Sequence, residues 1–162
     1  MSSKEEELYL PVMKLLETMF AEVGECHLEI SASGISEGMK KHLDDPAINI
    51  LQTESKKPDI FGYILAEKSY FKRRIVVEIK KGHLTIDDVY QVKKYAEILD
   101  AYYAFLISPK GFKEIYRRFL LQRHAPLSIS GYQPIIIMRF TGDTLERDEE
   151  LCYSDPFAPR YT

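Results

Sequence analysis

An α/β fold around a mixed sheet is what the sequence predicts, and three observations predict it. Apolar residues near the N-terminus recur at helical spacing. Two strand-like runs, 59–65 and 75–80, lie close enough to pair as a hairpin. Beyond residue 84 the apolar period alternates between helix and strand, the pattern of a sheet joined by crossover helices.

Each element has its own local warrant. Leu8, Val12, Leu15, Leu16 and Met19 follow one another at three and four residues, which marks a helix. Pro11 is tolerated only early in that helix, so its regular part starts near Leu10 or meets the preceding turn at a kink. Residues 27–31 read as a short strand, and 33–42 as a loop leading into a short helix that ends near Asp44-Asp45-Pro46. The apolar run Ile48-Asn49-Ile50-Leu51 reads as another strand. Residues 75–80 form a β-branched run bounded by Arg73-Arg74 and Gly82. Thr85 followed by Asp88 is an acidic capping box, and Ile86, Val89, Val92, Ala96 and Leu99 carry a helix of about four turns from it. Residues 101–108 are apolar and aromatic, as in a buried strand. Phe112, Ile115, Phe119 and Leu120 return to helical spacing, and 134–140 reads as a further strand. No element is expected after Gly142, so the chain divides into one domain, 1–142, and an acidic tail, 143–162, packed on the core or on a partner.

Composition narrows the function classes. The chain has 162 residues, 45% of them hydrophobic and 29% charged, which is ordinary for one globular domain. No apolar stretch is long enough to span a bilayer, and the acidic N-terminus is unlike a secretory or transit signal. Cys26 and Cys152 are too few for a disulfide framework or a four-thiolate zinc site. The expectation is a cytoplasmic protein without a membrane partner. The net charge of −3 conceals an asymmetry. Residues 1–55 carry 4 Lys/Arg against 11 Asp/Glu, residues 56–124 carry 15 against 8, and residues 125–162 carry 3 against 6. A basic middle between acidic ends suits a chain with one face toward a polyanion.

Phosphate-binding loops, dinucleotide fingerprints and HExxH are absent, and the four histidines match no ligand spacing. What remains is Pro58-Asp59 at the start of one strand and Glu78-Ile79-Lys80 at the end of the next. Residues two apart on a strand share a face, so Glu78 and Lys80 project together while Ile79 supports the opposite layer. The hairpin brings Asp59 alongside them. Two converging carboxylates repel, and a hard divalent cation such as Mg²⁺ or Mn²⁺ resolves the conflict. A neighbouring ammonium orients a water and stabilises charge on a phosphate, so the parts suit metal-assisted phosphodiester hydrolysis.

With these residues in place the sequence resembles the PD-(D/E)xK nuclease superfamily. The resemblance spans approximately residues 5–108. It implies a restriction-endonuclease-like core of three layers, a central mixed β-sheet flanked by helices. It also implies that Asp59 and Glu78 bind the metal, with the Ile79 carbonyl as a further ligand, and that Lys80 assists the attacking water. Many members, RecB-like exonuclease modules among them, carry a Gln-x-x-x-Tyr motif on the following helix; here it reads Gln91-Val92-Lys93-Lys94-Tyr95. At i and i+4, Gln91 and Tyr95 share a face from which they can touch substrate. The superfamily's first-helix glutamate corresponds here to Glu5, which shares the face of the first apolar stripe, whereas Glu6 and Glu7 turn away.

Lys81, Lys93 and Lys94 lie beside this site, Arg117, Arg118 and Arg123 gather on the later helix, and Tyr70, Phe71, Lys72, Arg73 and Arg74 make an aromatic-basic hairpin tip. Lys81 and Lys94, with Gln91 and Tyr95, are the expected substrate contacts. The resulting expectation is a Mg²⁺- or Mn²⁺-dependent deoxyribonuclease acting in repair, recombination or defence, with DNA as partner. A homodimer would supply two active centres for two strands. The alternatives are a non-catalytic nucleic-acid-binding module and a dimerisation module on the same fold.

Overall fold

The computed structural model describes residues 5–54, 56–66, 71–129 and 133–158. Its centre is a six-stranded mixed sheet in the order β1-β2-β3-β4-β5-β6. The strands are β1 (Gly24–Ile30), β2 (Ile60–Ala66), β3 (Lys72–Ile79), β4 (Tyr103–Ser108), β5 (Ile135–Phe140) and β6 (Leu145–Arg147). β1, β2 and β3 run antiparallel in succession, β3, β4 and β5 are parallel, and β6 returns antiparallel to β5. The helices are α1 (Tyr9–Phe20), α2 (Glu37–Lys40), α3 (Asp45–Thr53), α4 (Ile86–Ile98) and α5 (Glu114–Gln122). Among the described residues no helix is long and apolar enough to cross a membrane.

Strand alternation divides the core into two layers. Ile75, Val77 and Ile79 of β3 face α1, where Val12, Leu16 and Phe20 are fully buried. Val76 faces the other way, toward Val89, Val92, Tyr95 and Ala96 of α4. Each such buried aliphatic side chain contributes about 1.5–3 kcal/mol relative to exposure. The parallel β3–β4 pair requires a crossover, and α4 supplies it. Gly62 allows β1 to lie close, because a Cβ there would sit 2.0 Å from the His27 carbonyl oxygen.

Four expectations are corrected. Residues 48–51 are not a strand but the middle of α3. Asp44 caps that helix by accepting from the Ala47 amide at 2.8 Å, and Pro46 fits its first turn, so Asp44-Asp45-Pro46 starts a helix instead of ending one. A four-residue apolar run cannot separate the two periods; burial of Ala47 and Leu51, one turn apart, does. Pro11 lies, as expected, in the first turn of α1, which a 3₁₀ turn at Glu6–Leu8 feeds.

The expected apolar face of α5 is only partly used. Leu120 is buried, but Ile115 is 75% exposed and Phe119 39% exposed. The helix is held instead by Arg117, which reaches Asp148 and Glu150 beyond β6. The tail, expected to lack an element, carries β6 and buries Leu145, Leu151 and Cys152. Phe157 then stacks on Phe105 with ring centroids 5.8 Å apart. The described part of the tail therefore packs on the core. Of the hairpin tip, Tyr70 lies outside the described residues, and Phe71 is 80% exposed.

Candidate active site

The site forms where β2 begins and β3 ends. Ile60 pairs with Val77, so the antiparallel register carried one step outward sets Asp59 opposite Glu78. Pro58 and Asp59 are fixed from behind by Ser31, which is fully buried. The Ser31 hydroxyl donates to the Pro58 carbonyl at 2.6 Å, and the Ser31 amide to the Asp59 carbonyl at 2.8 Å. From the front, the Ile79 amide donates to Asp59 Oδ2 at 2.7 Å, and the Asp59 amide donates to Glu78 Oε1 at 3.3 Å. Side chains and backbone of the two strands thus hold the carboxylates together.

Lys80 completes the cluster. Its Nζ is 4.0 Å from Glu78 Oε2 and 3.9 Å from Asp88 Oδ1. Asp88 is also the acid of the capping box, accepting from the Thr85 amide at 2.8 Å through Oδ2. One carboxylate therefore starts α4 and aims Lys80 with its other oxygen. The Lys80 amide donates to the Ile107 carbonyl at 2.9 Å, which ties the site to β4.

Burial dominates the electrostatics. Glu78 is 2% exposed and Asp59 7%. Desolvation pushes the Asp59 carboxyl up to about 6, against the Ile79 amide, the Tyr9 hydroxyl and Lys80, which all favour the charged form. Desolvation, and then the charge of Asp59, pushes the Glu78 carboxyl up to about 8 despite Lys80. One lysine at 4.0 Å does not offset two buried carboxylates.

The remaining expected residues divide into those that meet the site and those that do not. Glu5 is half-buried while Glu6 and Glu7 are exposed. Glu5 Oε2 accepts from the Lys81 amide at 3.3 Å, and its charge opposes ionisation of both Asp59 and Glu78. Tyr95 is fully buried on the α4 side, and its hydroxyl has no hydrogen-bond partner among the described residues. Half-buried Gln91 approaches that hydroxyl without reaching hydrogen-bond geometry. Burial, then the charges of Glu78, Asp59 and Glu54, raise the Tyr95 phenol above its ordinary value.

Lys81 is exposed beside the site. Lys94 is turned to Glu54, with Nζ 3.4 Å from Oε2, and lies over the Tyr95 ring. Lys93 lies over Tyr90. Arg117 is taken by Asp148 and Glu150, and Arg118 by Glu114, so two of the three arginines grouped on the later helix already hold carboxylates.

Three residues at the site escaped the sequence reading: Ser31, Tyr9 and Asp88 in its second role. Tyr9 is the most telling, since it sits one turn after Glu5 on the same helix face. Its hydroxyl faces the Asp59 carboxylate, and burial followed by the charge of Asp59 holds the phenol well above its usual range.

Asp59, Glu78 and the Ile79 carbonyl offer hard oxygen donors, the chemistry that Mg²⁺ or Mn²⁺ prefers. Among the described residues no three or more His, Cys, Asp or Glu side chains are grouped to hold a metal. Two carboxylates and one carbonyl leave the rest of a cation's shell to water and substrate oxygens, which suits Mg²⁺. Compared with known proteins, the chain matches no family model and no curated relative.

Proposed function

We propose that this protein is a metal-dependent nuclease of the PD-(D/E)xK type that hydrolyses DNA phosphodiester bonds. The observation that carries the reading is the pairing of Asp59 with Glu78: two buried carboxylates, held together by Ser31 and the Ile79 amide, with one lysine beside them. A protein that needed these residues only for stability would gain more from apolar side chains of similar volume. The order α1, β1, the α2–α3 insertion, β2, β3, α4 and β4, with β1, β2 and β3 antiparallel and β4 parallel to β3, supports a restriction-endonuclease-like core for the same reading.

Asp59, Glu78 and the Ile79 carbonyl hold Mg²⁺ or Mn²⁺ in this scheme. When bound, such an ion supplies Lewis-acid stabilisation of phosphate charge and a more acidic water. Lys80, set by Asp88, orients the attacking water and donates to the charge that builds on the phosphate. Glu5, held on the Lys81 amide, accepts a proton from that water. Half-buried Gln91 borders the site from α4, and the buried Tyr95 beneath it supports that face of the helix rather than meeting substrate directly.

The test is cleavage of labelled single-stranded, blunt, flapped and four-way DNA, with an RNA control, in Mg²⁺, Mn²⁺ or EDTA, with Lys80→Ala beside the wild type. Metal-dependent product that the variant does not make supports the assignment. Salt-sensitive binding with no product in any metal would replace it with a non-catalytic nucleic-acid-binding module.

A further inference from the structure

We propose that a cavity of about 280 Å³ beside the C-terminal ends of β4 and β5 holds a backbone phosphate of the nucleic-acid substrate, bound by Lys110 and Arg139. The inference rests on the nuclease reading and extends it to how the strand is gripped.

Four basic and two acidic side chains line this cavity: Lys110, Arg117, Arg139 and Arg147, with Glu146 and Asp148. Their hydrogen bonds separate structural from available charge. Arg117 is held bidentately by Asp148, with its second nitrogen at 3.0 Å, and that pair is neutral. Arg147 donates to the Cys152 carbonyl at 2.6 Å and fastens the tail. Among the described residues Arg139 bonds through Nε alone, which donates to the Pro109 carbonyl at 3.1 Å. Among the described residues neither Arg139 nor Lys110 forms an ion pair. The Nε bond holds the planar guanidinium in place and leaves its two terminal nitrogens for a bidentate acceptor, which two oxygens of a phosphate supply. At roughly 30 Å³ per water, the space admits a phosphate and several waters.

Position connects this cavity to the site. β3, β4 and β5 are parallel, so their C-terminal ends share one edge of the sheet. Ile79 pairs with Ile107, Ile107 with Met138, and Ser108 with Arg139. Two strand spacings of ~4.8 Å put the backbone of Arg139 roughly 10 Å across the edge from the end of β3. At ~3.4 Å of rise per nucleotide, that distance is about three nucleotides from the bond at Lys80. The intervening loops are braced to each other: Ser108 Oγ donates to the Gly82 carbonyl and accepts from the Lys110 and Gly111 amides at 3.0 and 3.2 Å. The loop that carries Lys80 and Lys81 and the loop that carries Lys110 thus form one rigid rim.

The experiment measures binding of a fluorescein-labelled DNA duplex, and of its single strand, by anisotropy in EDTA over a range of salt. Cleavage kinetics in Mg²⁺ follow on the same proteins. Arg139→Gln and Lys110→Gln are each expected to weaken binding about fivefold and to lower the salt slope by about one. KM rises while kcat holds, since the contact is made equally in ground and transition states. Arg118→Gln, an exposed arginine on the same helix as Arg117, is the control and is expected to leave binding unchanged. Unchanged binding in the first two variants, or an equal loss in the control, overturns the cavity assignment while wild-type cleavage leaves the active site standing. A wild type that neither binds nor cuts overturns both.

Discussion

The Ile79 amide donates to Asp59 Oδ2 at 2.7 Å, so the carboxylate that opens β2 is fastened to the backbone that closes β3. A side chain held by a neighbouring strand moves only if the ladder moves. The same residues place Glu78 opposite Asp59, so the contact that positions one acid also maintains its repulsion with the other.

Burial of the two carboxyls, with the charge of Asp59 added at Glu78, makes stability depend on pH in a definite direction. Both carboxyls titrate above their ordinary values, to about 6 and about 8, so between these points and the unfolded values the native chain holds protons that the unfolded chain has released. The contribution is full below the unfolded values and is lost as pH rises through each folded value. Thermal melts in EDTA are expected to fall by several degrees between about pH 5 and about pH 9. Glu78→Gln keeps an acceptor for the Asp59 amide and removes the charge, so its melting temperature should exceed that of wild type at the alkaline end. A wild type whose melting temperature stays level while Glu78→Gln follows it would remove this account of the pair.

Metal should reverse the trend. Binding requires both carboxylates ionised, so Mg²⁺ or Mn²⁺ is expected to raise the melting temperature more at about pH 8 than at about pH 5. Calorimetric titration should register proton release on binding at neutral pH. Asp59→Asn should abolish the metal-induced stabilisation and reduce cleavage by at least about 10²-fold.

Lys80→Ala tests the role of the ammonium apart from the carboxylates. Cleavage is expected to fall by about 10²- to 10³-fold, mostly in kcat, with metal affinity retained. In the metal-free protein Glu78 loses its nearest opposing charge, so its carboxyl should titrate still higher, as ¹³C chemical shifts of the side-chain carboxyl would record. Asp88→Asn, which weakens both the helix cap and the hold on Lys80, should cost about 1 kcal/mol of stability in chemical denaturation.

Ser31→Ala probes the rear support of the site. The hydroxyl donates to the Pro58 carbonyl in a fully buried position, and its loss leaves that carbonyl without its donor. Urea denaturation should show a loss of about 1–3 kcal/mol. Ser31→Thr should recover much of this if the larger side chain fits, whereas Ser31→Val should not.

Truncation after Gly142 is expected to destabilise the domain severely, because it removes β6 and exposes the surfaces beneath Leu145, Leu151 and Phe157. The single change Phe157→Ala should cost about 3 kcal/mol, near the lower end for a deleted aromatic because the ring is only partly buried. A truncated chain that melts like the full one would show the tail to be dispensable.

Much of this was legible along the chain. The β-branched run Ile75-Val76-Val77 assigns β3, and the alternation of any strand then sets Glu78 and Lys80 on the face opposite Ile79. Thr85 and Asp88 announce α4 for a local reason, since a capping box is closed within four residues. Helical spacing sets Glu5, and not Glu6 or Glu7, on the face of the first apolar stripe. Each of these depends on interactions between near neighbours, and that is what a sequence records directly.

Contacts distant in sequence had no such trace. For the run 48–51 the start signals Asp44 and Pro46 are local, but only the core, by accepting Ala47 and Leu51 on one side, separates helix from strand there. Arg117 looked available for phosphate until the fold brought Asp148 to it across 31 positions. Ser31 reaches Pro58 across 27 positions. The sequence by itself determined the strands that carry Asp59, Glu78 and Lys80 and the helix that follows them, because periodicity and capping are local. Only the tertiary structure decided which charges are neutralised, which hydroxyl braces the site and how far the carboxyls are shifted, because burial and long-range pairing exist only once the sheet has closed.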